Sequence, residues 1–158
     1  RVNGWRPPRW FRVWMVCATR GGDGWLWLTM GLCLLLIGGA DAARPVAAAG
    51  AAAAMGIVCF LALKRTFRRR RPCAIAKHCW ADLLPPDQFS FPSGHSITAF
   101  AVAVPLCLTY PGLVAGLMFC AASVALSRVM LGMHFLTDVL AGSAIGATLG
   151  YTAFLLII

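Results

Sequence analysis

Residues Trp25 to Gly39 read WLWLTMGLCLLLIGG. The run carries no ionisable side chain other than Cys33 and shows no polar stripe, so it has no face to offer water. It is a little short for a membrane span, and Gly24 and Ala40 extend it. Outward from it the chain repeats the same theme. A brief connection at Asp41–Arg44 leads to Pro45, which suits the first turn of a helix. Val46 to Leu63 follows, rich in Ala and Gly, whose small side chains permit close helix contact in lipid. His95 to Tyr110 reads as a third helix with a kink expected at Pro105. Pro111 and Gly112 mark a turn. Leu113 to Met130 is a fourth helix ending near Gly132, and His134 to Ile158 a fifth. The prediction is an all-α integral membrane helical bundle of about five transmembrane helices.

Composition agrees. Of 158 residues 60% are hydrophobic and 12% charged, and mean hydropathy is +0.78. A soluble domain needs more polar surface. The chain reads as one domain, 1–158, without repeats. Its first part, 1–22, mixes Trp5, Trp10, Phe11 and Trp14 with Arg6, Arg9, Arg12 and Arg20. That mixture predicts an interfacial helix in the headgroup layer. Residues 64–94 form a polar connection outside the hydrocarbon. The first residue is Arg1 and not Met, which reads as a chain whose start is missing, and no signal-peptide cleavage pattern is visible.

Lys and Arg number 14 against 5 acids, all of them Asp, for a net charge of +9. Such a balance suits anionic lipid or a phosphorylated substrate. Nucleic acid is excluded as a partner, because the basic patch of a soluble fold is missing. Cys33, Cys59, Cys107 and Cys120 lie in apolar runs and read as small hydrophobes. Cys73 and Cys79 share the polar connection with His78. Their spacing matches no common zinc pattern, so two free thiols are expected, with a disulfide as the alternative in an oxidising compartment.

Ionisable residues in so apolar a chain mark function. They gather at three places: Lys64 and Arg71 after the second span, His95 at the start of the third, and Arg128, His134 and Asp138 at the junction of the fourth and fifth. Alternating spans put all three on one membrane face. His134 and Asp138, four apart, would share a helix face, the carboxylate accepting from Nδ1 and leaving Nε2 with its lone pair. Alone, that pair reads equally well as a self-satisfied buried couple. Lys64, Arg71 and Arg128 add cations able to grip phosphoryl oxygens. Arg65, Arg68, Arg69 and Arg70 read as attraction to anionic headgroups. Pro92-Ser93-Gly94-His95 opens a helix whose free N–H groups suit an anion, with Gly94 allowing close approach and Ser93 a hydroxyl donor.

Together these stretches resemble the phosphatidic acid phosphatase type 2 (PAP2) superfamily, whose motifs are K-x6-RP, PSGH and SR-x5-H-x3-D. Here they read KRTFRRRRP (Lys64 to Pro72), PSGH (Pro92 to His95) and SRVMLGMHFLTD (Ser127 to Asp138). The resemblance implies a metal-independent lipid phosphate phosphatase of the membrane branch. His134 would be the nucleophile that forms a phosphohistidine, and Asp138 would orient it. His95 would protonate the leaving group and later activate water. Lys64, Arg71, Ser93, the Gly94 amide and Arg128 would hold the phosphate. No cofactor and no metal are expected, and magnesium would want a carboxylate cluster that is missing from the motifs. The expected partners are the bilayer and a membrane lipid substrate: phosphatidylglycerol phosphate or phosphatidate, a polyprenyl phosphate or diphosphate, or lipid A. The oligomeric state is left open. Alternatives are a lipid phosphotransferase of the same family and a non-catalytic lipid-phosphate binding or transport protein. A vanadate-dependent haloperoxidase would share the pocket, but those relatives are soluble.

With two spans before the first motif, 13 of the 14 Lys and Arg fall on the site's face and only Arg44 opposite. The positive-inside rule makes that face cytoplasmic, in an inner (plasma) membrane of bacterial type.

Overall fold

The structure, a computed structural model, describes residues 7–75 and 88–158. Its elements are α1 (Arg9–Gly21), α2 (Trp25–Gly38), α3 (Ala43–Phe67), the single turn α4 (Pro72–Ile75), α5 (Gly94–Thr109), α6 (Val114–Met130) and α7 (Leu136–Ile157). Short 3-10 turns occupy Gly39–Ala42 and Pro111–Leu113. Arg70 and Phe89 form an isolated antiparallel bridge. The pairing of Cys73 with Cys79 and the surroundings of His78 lie outside the described residues.

Three helical stretches among the described residues are long and apolar enough to cross a bilayer: Trp25–Phe67, Pro111–Met130 and Leu136–Ile157. The first, 43 residues long, holds both α2 and α3. Gly39 at its turn takes φ +56°, and α2 folds back along α3: Gly31 abuts Val46, while Trp27 packs with Ala49 and Ala53. The five helices read from the sequence are therefore α2, α3, α5, α6 and α7. Two of them are short. At 1.5 Å per residue, α2 with 14 residues and α5 with 16 extend about 21 and 24 Å, against a hydrocarbon core of about 30 Å. Leu36, Ile37, Val58, Leu140, Leu155 and Leu156 project outward. Such a belt suits lipid and would be a liability in water.

α5 sits at the centre, against α3, α6 and α7. α7 lies directly on its backbone through Gly142, Gly146 and Gly150, one on each successive turn. A Cβ at those positions would come within 2.7 Å of the Ser93 carbonyl oxygen, 2.3 Å of that of Ile97 and 2.8 Å of that of Ala101. Nothing larger than glycine fits, and the two helices gain close dispersion contact in return. α3 joins through Gly56, which meets Ile97, and through buried Ala48 and Ala52.

α1 is the amphipathic helix expected before the first span, with one difference. Its inner face docks on α6 rather than resting on the bundle's rim. Met15 is fully buried against Leu131 and Met133, and Trp14 stacks on Phe119 with ring centres 5.8 Å apart. Trp10, Arg9 and Arg12 stay exposed on the outer face. The α1–α2 turn, the end of α3, the starts of α5 and α7 and the end of α6 all meet at one end of the bundle. At the other end the Arg44 Nε donates to the Ile157 carbonyl oxygen at 2.9 Å. The three motif-bearing stretches thus lie at one end of the bundle and Arg44 at the other.

Candidate active site

A cleft of about 440 Å³ opens at the motif-bearing end. Asp23, Lys64, Arg71, His95, Arg128 and His134 line its polar part; Trp27, Leu28, Ile57, Phe60 and Val102 line its apolar part. Lys64 ends α3, nearly buried, with its Nζ 5.1 Å from the centre of the Phe60 ring. The chain then reverses at Arg68, whose φ of +46° closes the helix in the left-handed region. This reversal returns Arg71 into the interior, where its Nη1 donates to the Met133 carbonyl oxygen at 2.9 Å. Arg128, in the last turn of α6, is buried and donates through Nη1 to the Thr19 hydroxyl of α1.

His134 departs from the expected geometry. It does not share a helix face with Asp138, because α7 begins only at Leu136. It sits in the α6–α7 connection, its backbone N–H bonded to the Arg128 carbonyl oxygen at 3.1 Å. Its Nδ1 lies 2.6 Å from the carbonyl oxygen of Ser90 and 3.8 Å from the nearer Asp138 oxygen. Its Nε2 lies 3.1 Å from Nη1 of Arg71. These neighbours settle the tautomer. A carbonyl oxygen only accepts, so Nδ1 carries the proton; a guanidinium only donates, so Nε2 presents its lone pair. Burial first, and then the charges of Arg128, Arg71 and Lys64 against the opposing pull of Asp138, lower the His134 pKa from 6.5 to about 4. The imidazole is neutral at pH 7.

Asp138 stands behind His134 instead of in the cleft. It is fully buried. One oxygen accepts from the Phe135 N–H at 2.8 Å. The other takes Nη1 of Arg69 at 2.8 Å. Arg69, read from the sequence as a headgroup cation, is therefore the counter-ion of Asp138. Its guanidinium also lies 4.1 Å from the Phe135 ring centre and donates to Thr137 Oγ1 at 2.8 Å.

Ser93 differs too. It is fully buried and does not line the cleft; its Oγ accepts from the N–H of Ser96 at 3.4 Å and from the Ser96 hydroxyl at 2.9 Å, so it caps α5. Its own N–H donates to the Asp138 carbonyl oxygen at 3.1 Å, joining the second motif to the third. Gly94 does line the cleft. A Cβ there would lie 3.1 Å from the Phe60 ring, so the missing side chain also admits Phe60. His95 faces the cleft, and its Nε2 lies 2.7 Å from Oδ1 of Asp23 in the α1–α2 turn.

The structure thus gathers Lys64, Arg71, Gly94, His95, Arg128 and His134 around one cleft and sets Ser93 and Asp138 behind its wall. Such a site has three cations for an anion, a neutral nitrogen lone pair, and a second imidazole. The sequence reading missed Ser90, Arg69, Thr19 and Asp23. Only Asp23 carried a signal: it is one of five acids in the chain, set among glycines in Gly21-Gly22-Asp23-Gly24.

Comparison with known proteins follows the same lines. The PAP2 superfamily profile matches residues 45–157. The decaprenylphosphoryl-5-phosphoribose phosphatase of Mycobacterium tuberculosis is 39% identical over 108 residues, 66% of this chain and 56% of that protein. The chain thus spans little more than half of that relative's length. Among solved structures, LpxE of Aquifex aeolicus superposes with a TM-score of 0.78 at 26% identity, covering 96% of this chain and 89% of that one. The transmembrane PAP2-type phosphatidylglycerolphosphate phosphatase of Bacillus subtilis gives a TM-score of 0.69 at 27% identity, covering 96% and 78%. With three motifs on one cleft, a helical bundle built for the bilayer and a profile match over most of its length, this multi-pass membrane chain belongs to the PAP2 superfamily.

Proposed function

We propose that the chain hydrolyses the phosphomonoester or diphosphate of a membrane lipid through a phosphohistidine on His134. The observation that carries this reading is the opposed pair of hydrogen bonds on the His134 ring. Nδ1–H is held by Ser90 and Nε2 is kept as a lone pair beside Arg71. Both ring nitrogens are bonded, as in a core histidine; what sets this ring apart is that its Nε2 partner, Arg71, lines a cleft with Lys64 and Arg128, so an anion that takes Arg71 releases the lone pair.

The steps follow from this placement. The phosphate enters between Lys64, Arg71 and Arg128, with the Gly94 amide at the α5 start as a further donor. Arg71 exchanges its contact with Nε2 for a phosphate oxygen and frees the lone pair. Nε2 attacks phosphorus as the lipid P–O bond breaks, and His95 delivers a proton to the departing oxygen. The phosphorylated imidazole carries positive charge, which the Asp138–Arg69 pair and the Ser90 carbonyl stabilise through Nδ1–H. Water then attacks phosphorus, His95 takes its proton, and the P–N bond breaks. Positioning and charge neutralisation supply most of the acceleration in phosphoryl transfer.

The apolar part of the cleft, between α2, α3 and α5, suits the chain of a lipid whose phosphate sits at headgroup depth. The relatives named above act on a prenyl-linked phosphoribose and on phosphatidylglycerol phosphate, so both classes belong in the substrate panel, with phosphatidate and lipid A. The site face reads as cytoplasmic: among the described Lys and Arg residues, only Arg44 lies at the opposite end of the bundle.

The test is a phosphate-release assay over this panel in detergent. Wild-type protein should release phosphate from at least one lipid and, quenched during turnover, carry acid-labile, base-stable phosphate. His134→Asn should lose both while keeping its helical content. Unchanged release by His134→Asn would overturn the mechanism.

A further inference from the structure

Asp23 belongs to none of the three motifs, yet it makes the shortest contact to His95. The turn that carries it is fixed from several sides. Thr19, one helical turn upstream, accepts from Arg128. Gly22 packs so closely that a Cβ would lie 2.7 Å from Val124 and 3.1 Å from Cδ2 of His95. The Gly22 N–H closes α1 on the Ala18 carbonyl oxygen at 3.0 Å, and the Asp23 N–H bonds that of Arg20 at 3.1 Å. Gly24 leaves the turn at φ +123°, open to glycine alone. The result places one carboxylate oxygen 2.7 Å from His95 Nε2.

We propose that Asp23 is the positioning residue of His95, and that His95 therefore exchanges its catalytic proton through Nδ1. This rests on the reading of His95 as the acid and base of phosphoryl transfer. A carboxylate only accepts, so Nε2 carries a hydrogen in every step. The Gly22–Asp23 turn covers the Cδ2–Nε2 edge of the ring. The Nδ1–Cε1 edge remains, and among the described residues no hydrogen bond occupies it. In the first half-reaction His95 starts as imidazolium. Nδ1–H passes its proton to the lipid oxygen as the P–O bond breaks and the bond from phosphorus to His134 Nε2 forms. The neutral ring keeps Nε2–H on Asp23. In the second half-reaction Nδ1 takes a proton from the attacking water as the P–N bond breaks, which restores the imidazolium.

The charge of Asp23 opposes its surroundings. Lys64 from α3, Arg71 from the following loop and Arg128 from α6 line the same cleft, with His134 between them, and Arg20 stands 3.8 Å from the other Asp23 oxygen. Among the described residues Asp23 is the one acid in contact with the His95 ring, and its charge is placed to sustain an imidazolium there.

The experiment compares wild-type protein with Asp23→Asn, Asp23→Glu, His95→Ala and, as a control at the far end, Asp41→Asn. Each is assayed for phosphate release against pH on the best lipid of the panel. General acid–base catalysis contributes about 10²- to 10⁴-fold. Asp23→Asn should lose about 10- to 100-fold of that in kcat with KM nearly unchanged, and its alkaline limb should move to lower pH. Asp23→Glu should recover part of the rate, and Asp41→Asn should match wild type. Two results overturn the inference: an Asp23→Asn pH profile that superposes on wild type, or a gain in rate and affinity, which would make Asp23 a plug of the anion site. A fully active His95→Ala would instead overturn the underlying assignment of His95.

Discussion

The two histidines of the cleft belong to two differently built halves of the molecule. His134 stands in the half made of α5, α6 and α7, where glycine stripes bring backbones into contact and the second and third motifs share a backbone hydrogen bond. Its ring is only 1% exposed and held by a carbonyl oxygen and an arginine. His95 points from that half toward the α1–α2 turn. There it meets a carboxylate that is 41% exposed, on a segment joined to the rest through Thr19, Met15 and Trp14. The difference matches the chemistry proposed for each group. A nucleophile must present one lone pair along one line, so a rigid mount serves it. An acid–base group must accept and surrender a proton in each cycle, and a partly solvated carboxylate sustains both states.

Several perturbations test that contrast. The largest effect is expected at the rigid half. Gly146→Leu forces a side chain into the Ile97 carbonyl, so α7 must leave α5. Overpacking of this kind costs about 3 kcal/mol, and here it also shifts His134. We expect a clear fall in thermal midpoint in detergent together with loss of phosphate release. Retained activity would show that the backbone contact is not what places the nucleophile. Next in size is Arg69→Ala, which leaves Asp138 buried without its cation. A drop of about 10- to 100-fold in kcat is expected, on the scale of a lost charge-assisted hydrogen bond of about 1.5–3 kcal/mol. Arg69→Lys should return part of it in the same assay.

A smaller but sharper test concerns protonation. Nitrogen-15 spectra of His134 should show the Nδ1–H tautomer across neutral pH. Its pKa is lowered, so the neutral form persists as pH falls from 7 and is lost only near pH 4; an ordinary histidine would be half protonated at about 6.5. Titration of His134 near 6.5 would remove the basis for a free lone pair at neutral pH. The smallest effect belongs to the looser half. Thr19→Val removes one acceptor from Arg128 and should cost about 2- to 10-fold in rate, on the scale of a single hydrogen bond, with no change in thermal midpoint beyond a few degrees.

The sequence made the bundle legible, because apolar runs of span length have few other uses and the motifs sit at their ends. It grouped Lys64, Arg71, His95, Arg128 and His134 at one end of the spans, and in the structure they line one cleft. It failed where contacts leave no trace in residue type. The partner of His134 Nδ1 is the backbone oxygen of Ser90, which any residue could supply. Arg69 is one of four consecutive arginines, and only the reversal at Arg68 decides which of them turns inward to Asp138 and His134. Ser93 reads from the sequence as a phosphate donor because a hydroxyl suits either task; in the structure its Oγ is buried and accepts from Ser96 at the start of α5. The i,i+4 spacing of His134 and Asp138 suggested a shared helix face, but the positive φ of Gly132 and the late start of α7 move His134 off the helix.

The arginine run has one further consequence. With Arg69 on Asp138 and Arg71 on His134, Arg65, Arg68 and Arg70 remain exposed at the same end of the bundle. Each cation near an anionic leaflet adds about 1 kcal/mol of attraction, and a lipid phosphate feels the same pull. The protein would collect its substrate from the surrounding leaflet before any encounter with the site. Turnover should then follow the surface density of anionic lipid and the ionic strength, and rates taken in neutral detergent would understate those in a charged membrane.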